Sequence, residues 1–279
     1  MEIKKVHVVY FSPTHTGRNV GRAIVSTLNL DIEELDLTYP LAEDSSERVL
    51  DADDLAVVVV PVYGGHVAPL AALRLQTLKG NSTPCIAVAV YGNRAYEHAL
   101  EELQNQLSSQ GFSVVACATF IGEHSYSTDV YPISAGRPNA EDLAMAGTFG
   151  SNVVQKIKAA SDREHLYEVD ARTITRPKQP MLPLLRFVYS VVKLRKSGKP
   201  MPMTPTVDES KCTHCGACVK ACPNDAIQSG DELHTDPQAC IRCCACVKTC
   251  PAGARTFESP FGKLLSRSFQ KEKQPQVLL

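Results

Sequence analysis

The stretch DLAVVVVPVYGG, residues 54–65, decides the fold class of this chain of 279 residues. Four consecutive valines and their apolar neighbours form a run without a polar face, and turn residues bound it. A continuous apolar run of this kind is typical of a strand buried on both faces, as in a parallel sheet. We therefore expect the N-terminal part of the chain to be an α/β domain.

The segments on either side of this strand alternate between strand and helix patterns. Further strands are predicted at 4–12, 31–38, 84–92 and 112–122, and helices at 17–28, 68–78, 96–111 and 141–160. Five apolar strands separated by helices predict a doubly wound, five-stranded parallel sheet. Such sheets bind ligands beyond the carboxyl ends of their strands, so the loops that follow the strands are the first candidates for a site.

The length of the chain predicts more than one domain, since a domain typically has about 150 residues. Prolines punctuate residues 161–205, and the middle of this segment, 184–196, has the pattern of an amphipathic helix. We expect a first domain at 1–160, a basic proline-rich linker at 161–205, a second domain at 206–256 and a basic tail at 257–279.

The formal net charge of −1 hides an uneven distribution of charged residues. Residues 1–170 contain 12 basic and 22 acidic residues, whereas residues 171–200 contain eight basic residues and no acidic residue. We interpret the basic segment as a solvated linker with a helix that packs between the domains. The alternative is a landing site for an acidic partner or peripheral contact with a membrane surface through 181–199. No interleaved aromatic residues suggest nucleic-acid binding.

The sequence also suggests where the protein is found. No stretch approaches the roughly 18 apolar residues of a transmembrane helix, and the first residues lack the apolar core of a signal peptide. We therefore expect a cytoplasmic protein. In that reducing compartment, 11 cysteines favour metal binding or catalysis over disulfides.

Eight cysteines form two runs, CTHCGACVKACP at 212–223 and CIRCCACVKTCP at 240–251. Each run has the spacing C-x2-C-x2-C-x3-C-P, which is the spacing of bacterial two-cluster ferredoxins. The alternative, a structural zinc site, typically uses two C-x2–4-C pairs rather than two four-cysteine runs that end in proline. The runs therefore predict two [4Fe–4S] clusters.

In this signature the fourth cysteine of each run binds the cluster of the other run. One cluster is thus assigned Cys212, Cys215, Cys218 and Cys250, and the other Cys240, Cys243, Cys246 and Cys222. Cys244 replaces Gly216 of the first run, and we interpret it as a buried thiol rather than a ligand. Cys85 and Cys117 fall in predicted strands and are expected in the core.

The loop after the first strand, SPTHTGRN at 12–19, offers hydroxyl groups, backbone amides and the start of a helix. It is neither a Walker A loop nor a G-x-G-x-x-G dinucleotide loop. Hydroxyl donors and a helix N-terminus bind phosphate through hydrogen bonds and the helix dipole. At the first βα turn of a doubly wound sheet, this combination suggests FMN.

This loop resembles the phosphate loop of flavodoxins. Two further segments, PVYGG at 61–65 and YGNRAY at 91–96, resemble the flavodoxin loops that flank the flavin. With its cysteine runs, the chain is similar to the flavodoxin–ferredoxin fusion proteins of anaerobic bacteria and archaea. The resemblance implies a flavodoxin-like sheet over 1–160 and a small α+β ferredoxin domain over 206–256.

The resemblance also implies roles for individual residues. The FMN phosphate would be held by Ser12, Thr14, Thr16, Gly17 and Asn19, with charge added by His15 and Arg18. The turn Tyr63–Gly64–Gly65 would lie against the flavin, where its glycines would tolerate a peptide flip.

The loop after the fourth strand is expected to contact the other side of the flavin. Tyr91 or Tyr96 would stack on the ring, and the amides near Gly92 and Asn93 would face the pyrimidine. Arg94, with His66, would place positive charge beside the flavin. Glu123 and His124, after the fifth strand, are interpreted as part of a surface turn rather than as ligands.

These cofactors predict an electron-transfer protein that exchanges electrons with redox partner proteins, because clusters carry single electrons and flavin carries one or two. A first alternative is an FMN-dependent reductase of a small organic molecule or quinone, with a pocket lined by His66, Arg94 and His124. A second is a flavodoxin fold that has lost its flavin. No nicotinamide-binding motif is present, so NAD(P)H would act through a partner.

Overall fold

The structure is a computed structural model, described here for residues 1–40, 47–162, 165–198 and 201–279. These residues form two compact units. The first unit contains residues 1–122, 136–177 and 273–279, and the second contains residues 123–135 and 178–272. The units differ from the predicted boundaries in several places. The loop 123–135 belongs to the second unit and the last seven residues belong to the first, and the predicted linker and tail are divided between the two units.

The elements are numbered in chain order. The strands are β1 Lys5–Tyr10, β2 Asp31–Asp36, β3 Arg48–Leu50, β4 Leu55–Tyr63, β5 His66–Val67, β6 Leu78–Gly80, β7 Thr83–Tyr91, β8 Phe112–Ile121, β9 Thr206–Val207, β10 Arg255–Thr256 and β11 Gln276–Leu278. The helices are α1 Thr16–Val25, α2 Pro69–Leu75, α3 Ala99–Ser109, α4 Ala140–Ala159, α5 Met181–Lys196, α6 Ala217–Lys220, α7 Ala245–Thr249 and α8 Pro260–Ser268, with one 3-10 turn at Ala171–Thr173.

The main sheet of the first unit has the strand order β2-β1-β4-β7-β8, and all four pairings are parallel. Counting only these five strands, the order is 2-1-3-4-5, which is that of the flavodoxin-like fold. The predicted fold class is confirmed. Two short antiparallel strands complete a seven-stranded sheet: β5 folds back on β4, and β11 pairs with β8.

Strand β4 lies at the centre of the sheet and is covered on both faces. Every residue from Leu55 to Val60 is at most 1% exposed. Because successive side chains of a strand point to opposite faces, both faces must be buried. The apolar run that predicts a parallel strand therefore forms the middle of the core.

Helices α1 and α4 pack together over one face of the sheet. Val20 and Ile24 of α1 join Phe149 of α4 in one cluster with sheet valines such as Val57. Gly150 permits the close approach, because a Cβ atom there would lie 1.9 Å from the carbonyl oxygen of Ile24. A side chain at this position would push the two helices apart.

Strand β11 has no counterpart among the sequence-based predictions. Gln276–Leu278 pairs with Cys117–Thr119 of β8 and protects an edge of the sheet. Three residues are too few to show a strand periodicity, so the sequence pattern carries no signal for this element.

The second unit contains the cysteine runs and two longer helices. Helices α6 and α7 pack around Cys218, Ile227 and Cys246, and β9 pairs with β10. Helix α5 confirms the helix predicted at 184–196, and it packs against α8 through Leu184 and Phe187.

Candidate functional site

The carboxyl ends of β1, β4, β7 and β8 meet at one edge of the sheet, since these strands are parallel. The structure brings their loops into contact there. A Cβ atom on Gly122, directly after β8, would lie 2.4 Å from Cγ2 of Thr16 in the first loop. A Cβ atom on Gly65, after β4, would lie 2.3 Å from Oε2 of Glu97, after β7.

In the first loop, Ser12 determines the shape of the backbone. Its Oγ accepts a hydrogen bond from the backbone N–H of Arg18 (3.1 Å), and its own N–H donates to Oγ1 of Thr38 (2.8 Å). His15 adopts a left-handed conformation (φ 64°), after which α1 begins at Thr16. The loop therefore turns sharply into the helix, as a phosphate loop requires.

The same loop presents donors that the protein does not use. Within the described residues, the backbone N–H groups of Thr14, Thr16 and Gly17 donate to no protein acceptor. The side chain of the N-cap residue, His15, makes no capping hydrogen bond. Three unsatisfied donors at the positive end of a helix dipole fit an anion such as phosphate.

Two further residues predicted to contact the phosphate, Asn19 and His15, lie in this loop but add no positive charge. Asn19 is exposed, and its N–H donates to the carbonyl of His15 (3.0 Å). Desolvation and the nearby Arg18 hold the pKa of His15 below its usual value, so this imidazole is neutral at pH 7. Of the two predicted charges, only that of Arg18 remains.

The turn after β4 is a two-residue hairpin. Gly64 (φ 64°) and Gly65 (φ 98°) both have positive φ, a backbone conformation that glycine tolerates. A Cβ atom on Gly64 would meet nothing within 4 Å, so this side of the turn is open. Tyr63 next to it is half-buried.

The tyrosines at the end of β7 and in the loop after it, Tyr91 and Tyr96, are more deeply buried than a ring-stacking role requires. Tyr91 and Tyr96 are only 2% and 3% exposed, and their rings meet edge to face at 5.4 Å. The guanidinium of Arg176 lies over the Tyr96 ring at 5.8 Å. Neither ring has an open face, and of the predicted ring-side tyrosines only Tyr63 keeps exposed surface.

The charge predicted beside the flavin is largely compensated. Nη1 of Arg94 lies 2.5 Å from Oε1 of Glu97, and Nδ1 of His66 lies 2.5 Å from Oε1 of Glu102. The hydrogen bond that the His66 imidazole donates to the Glu102 carboxylate raises the pKa of His66. Arg94 and His66, the residues predicted to place positive charge beside the flavin, therefore each lie in an ion pair that the sequence pattern did not indicate.

Sequence reasoning missed Lys273, which reaches the loop after β7 from the end of the chain. Its backbone N–H donates to Oδ1 of Asn93 (2.8 Å), and its ammonium donates to the carbonyl oxygens of Asn93 and Arg94. Asn93 is fully buried in a left-handed conformation (φ 62°). Burial, together with Arg94, lowers the pKa of Lys273 to about 8.

In the second unit, a cavity lies among the cysteines of the first run. Its lining includes Cys212, Cys215 and Cys218 from the first run and Cys250 from the second. These are the four ligands that the spacing rule assigns to one cluster. Among the described residues, no group of three or more His, Cys, Asp or Glu side chains is arranged to hold a single metal ion.

The two runs have the same backbone conformation. Left-handed residues recur at positions 28 apart, in the pairs His214 and Arg242, Gly216 and Cys244, and Asp225 and Gly253. Each final cysteine also accepts one equivalent hydrogen bond: Cys222 Sγ from the N–H of Ala226 (3.2 Å) and Cys250 Sγ from the N–H of Ala254 (3.3 Å). The sequence repeat is therefore a structural repeat.

The thiols assigned to the two clusters differ in their surroundings. Burial raises the pKa of Cys243 to about 12 and that of Cys246 to about 11. Burial also acts on Cys250, but backbone N–H donors from Ala252 to Arg255 outweigh it and lower its pKa. Cys215 is exposed, so the two proposed clusters differ in solvent access.

The remaining cysteines lie where the sequence predicts. Cys244 is buried, 2% exposed, and its thiol donates only a weak hydrogen bond, to the carbonyl of Arg242 (3.8 Å). Cys85 and Cys117 are fully buried in β7 and β8. All 11 cysteines are free of disulfides.

Glu123 and His124 take part in contacts within the second unit. Oε1 of Glu123 lies 2.6 Å from Nζ of Lys248, and Nδ1 of His124 accepts a hydrogen bond from the N–H of Tyr126 (3.0 Å). The Tyr126 ring packs against Phe257 with ring centres 5.1 Å apart. These contacts agree with a turn that has a structural role.

Comparison with protein families locates the iron–sulfur motifs. Residues 205–228 and 233–256 match the model described as the 4Fe-4S binding domain. Residues 205–256 are a ferredoxin-type domain. The ferredoxin domain contains both cysteine runs, so the prediction of two [4Fe–4S] clusters is confirmed. A comparison with curated protein sequences finds no match.

Solved structures similar to this chain include two flavodoxins and a larger oxidoreductase. A flavodoxin from the domain Archaea is 14% identical (TM-score 0.36; 55% of this chain, 99% of that chain), and flavodoxin 1 from Bacillus cereus is 14% identical (TM-score 0.40; 55% and 98%). The rubredoxin oxygen:oxidoreductase of Desulfovibrio gigas is 13% identical (TM-score 0.37; 57% and 37%). The flavodoxin-like fold of the first unit is defined by its own strand order.

Proposed function

We propose that this chain is an iron–sulfur flavoprotein that transfers electrons between the two clusters of its ferredoxin domain and an FMN held by its flavodoxin-like unit. The observation that carries the proposal is the first loop. Its three unsatisfied backbone donors lie at the start of α1, at the ligand-binding edge of the sheet. A ferredoxin domain in the same chain supplies the one-electron carriers.

The residues of the first loop would hold the phosphate of FMN. The N–H groups of Thr14, Thr16 and Gly17 would donate to its oxygens, and the hydroxyl of Thr14 would add a fourth donor. Ser12 would shape the loop through the hydrogen bond that its Oγ accepts from Arg18, and its hydroxyl hydrogen would still be free to donate to the phosphate. Arg18 would compensate the charge of the phosphate.

The loops after β4 and β7 would hold the ring system. Gly64 leaves open space and Tyr63 keeps exposed surface, so this turn suits contact with a planar ring. In the loop after β7, Gly92 is half-buried, and Lys273 fixes the backbone at Asn93 and Arg94. When bound, FMN would supply exchange of one or two electrons, whereas each cluster exchanges one.

The small-substrate reductase is less well supported. The side chains expected to line its pocket are engaged elsewhere, since Arg94 pairs with Glu97 and His66 pairs with Glu102. His124 accepts a hydrogen bond inside the second unit. We therefore favour the electron carrier.

Electron donors and acceptors would be redox partner proteins, because the sequence contains no nicotinamide-binding motif. A cytoplasmic location remains a prediction from cysteine usage. Among the residues that the structure describes, no helix is both long and apolar enough to cross a membrane.

Cofactor analysis of the chain purified without oxygen tests the proposal. We expect about eight iron atoms, eight acid-labile sulfides and one FMN per chain. FMN that fails to bind even after incubation of the purified protein with excess FMN would contradict the flavin half of the proposal. About four irons instead of eight would contradict the two-cluster half.

A further inference from the structure

Helix α5 in the second unit is apolar on two sides, of which only one is packed. Leu184 and Phe187 contact the cluster of Leu265 and Phe269 on and beside α8, and the rings of Phe187 and Phe269 lie 5.2 Å apart. This contact explains one apolar side. It does not explain the second.

The second side is a stripe of large apolar residues in contact with solvent. We call it the outer stripe; it consists of Met181, Leu182, Leu185, Val188, Tyr189 and Val192, which are 43% to 79% exposed. Positions 181, 185, 188 and 192 follow the spacing of one helix face, and 182 and 189 lie beside it. The stripe is about 16 Å long, because a helix rises about 1.5 Å per residue.

Basic side chains border the outer stripe. Arg186 and Lys193, seven residues apart, lie along one border, and Arg195 lies along the other, with Lys196 at the end of the stripe. All four are exposed, and within the described residues none of them forms an ion pair. By contrast, the basic residues before the helix are engaged, since Arg172 pairs with Asp170 and Arg176 with Glu101.

Interaction with the helix dipole explains only part of this pattern of basic and apolar residues. Three basic residues in the last turn interact favourably with the negative end of the helix dipole, as basic residues generally do at a helix C-terminus. They are Lys193, Arg195 and Lys196. The dipole does not explain Arg186 in the middle of the helix, or six exposed apolar side chains on one arc. Exposed apolar patches of this extent usually mark an interaction site.

We propose that the outer stripe of α5 is a peripheral membrane-binding surface that recognises anionic phospholipid. Apolar side chains would enter the acyl boundary, and the basic side chains on both borders would contact lipid phosphates. A lipid surface suits the geometry better than an acidic protein, because a straight stripe with cations on both borders matches a flat layer of charged headgroups. The segment 171–200 contains no acidic residue that would be repelled.

The test measures binding of the full holoprotein to vesicles. Vesicles of phosphatidylcholine containing about one third phosphatidylglycerol are compared with vesicles of phosphatidylcholine alone. We expect at least about tenfold tighter binding to the anionic vesicles, and weakening as salt is raised. Arg186→Gln/Lys193→Gln should weaken this binding about tenfold, whereas Lys4→Gln/Lys158→Gln in the first unit should not.

A matched pair of substitutions tests the apolar part. Leu185 is 57% exposed and Leu73, on α2 of the first unit, is 60% exposed. Leu185→Glu should reduce vesicle binding about tenfold or more, whereas Leu73→Glu should leave it unchanged. Cluster absorption and circular dichroism of each variant establish that it is folded.

A second readout locates the contact. The chain contains no tryptophan, so Tyr189→Trp introduces a single reporter on the outer stripe. Its emission maximum should shift to shorter wavelength with anionic vesicles. Tyr167→Trp, at an exposed position of the first unit, serves as the control and should not respond.

Three results would overturn the proposal. The first is no binding to either kind of vesicle. The second is vesicle binding that Leu185→Glu and Arg186→Gln/Lys193→Gln leave unchanged, because another surface would then be responsible. The third is binding to poly-glutamate, but not to vesicles, that Arg186→Gln/Lys193→Gln abolishes, which would identify an acidic protein as the occupant.

Discussion

Ser12 and Thr14 lie two residues apart in the first loop and have different roles. The Ser12 side chain is buried and accepts a hydrogen bond from Arg18, so it shapes the loop. Thr14 is half-buried, and the partner of its hydroxyl is Thr16 Oγ1 at 3.5 Å, the upper limit for a hydrogen bond. A hydroxyl held this weakly is ready to donate to a bound phosphate.

This difference predicts that Thr14→Val weakens FMN binding without unfolding the loop. Loss of one hydrogen bond to a charged group corresponds to about 1.5–3 kcal/mol, or roughly 10- to 150-fold in Kd. The measurement is fluorescence titration of flavin-free protein with FMN and, separately, with riboflavin, which lacks the phosphate. Equal losses for both ligands would show that Thr14 does not contact phosphate. Thr148→Val, on the exposed side of α4, is the control.

Lys273 gives a prediction about pH. Its pKa is about 8 in the folded protein and about 10.5 when solvated, so the folded state binds fewer protons between these values. The free energy of unfolding should therefore rise with pH from about 8 to 10.5, because burial of the charged ammonium is relieved as it loses its proton.

Lys273→Met should remove this rise, whereas the exposed Lys271→Met should preserve it. The measurement is thermal unfolding at several pH values, followed by far-UV circular dichroism. An unchanged slope in Lys273→Met would show that another group titrates. The sequence contains no signal for this contact, since Lys273 and Asn93 are 180 positions apart.

At the scale of the element, the cysteine runs predict how paired substitutions combine. Cys250 lines the cavity of Cys212, Cys215 and Cys218, so Cys212→Ser/Cys250→Ser should damage one cluster only. Cys212→Ser/Cys222→Ser should damage both clusters, because Cys222 is assigned to the other one. Iron content and low-temperature electron paramagnetic resonance distinguish the two outcomes. The reverse result would mean that each run binds its own cluster.

The close contact between α1 and α4 predicts that adding one methyl group at Gly150 destabilises the fold. Gly150→Ala would place Cβ 1.9 Å from a backbone carbonyl oxygen, which cannot move as a side chain can. We expect a loss of about 1–3 kcal/mol or more in the free energy of unfolding, despite the better helix propensity of alanine. Gly147→Ala is the matched control on the same helix. Its Cβ would lie 3.3 Å from its nearest neighbours, so the loss should be smaller. Similar melting temperatures of the two variants would contradict this account.

Elements with long apolar runs could be predicted from the sequence. Short elements, and features that depend on tertiary contacts, could not. The valines of β4 and the spacing of the cysteines depend only on residues that are close together in the chain, so the sequence alone indicates them. Strand β11 depends on pairing with β8, and its three residues show no periodicity. In the sequence, Tyr91 and Tyr96 have the pattern of ring-stacking residues. In the structure, their rings are buried against each other, and Arg176 covers Tyr96. The compensation of Arg94 by Glu97 also required the structure.

At the scale of the whole molecule, the chain combines two units with complementary chemistry. The ferredoxin domain supplies clusters that exchange single electrons, and the flavodoxin-like unit supplies a loop suited to the phosphate of FMN. Neither unit alone explains why both are encoded in one chain. A carrier that connects one-electron and two-electron couples does explain it.

The most direct test of this central claim is an anaerobic titration of the holoprotein with dithionite, followed by absorption spectroscopy. We predict that about four electrons are taken up per chain, one for each cluster and two for FMN, with bleaching of both the flavin bands and the broad cluster absorption. Uptake of about two electrons, with cluster bleaching and no flavin band in protein incubated with FMN, would contradict it. The first unit would then be a flavodoxin-like fold without flavin.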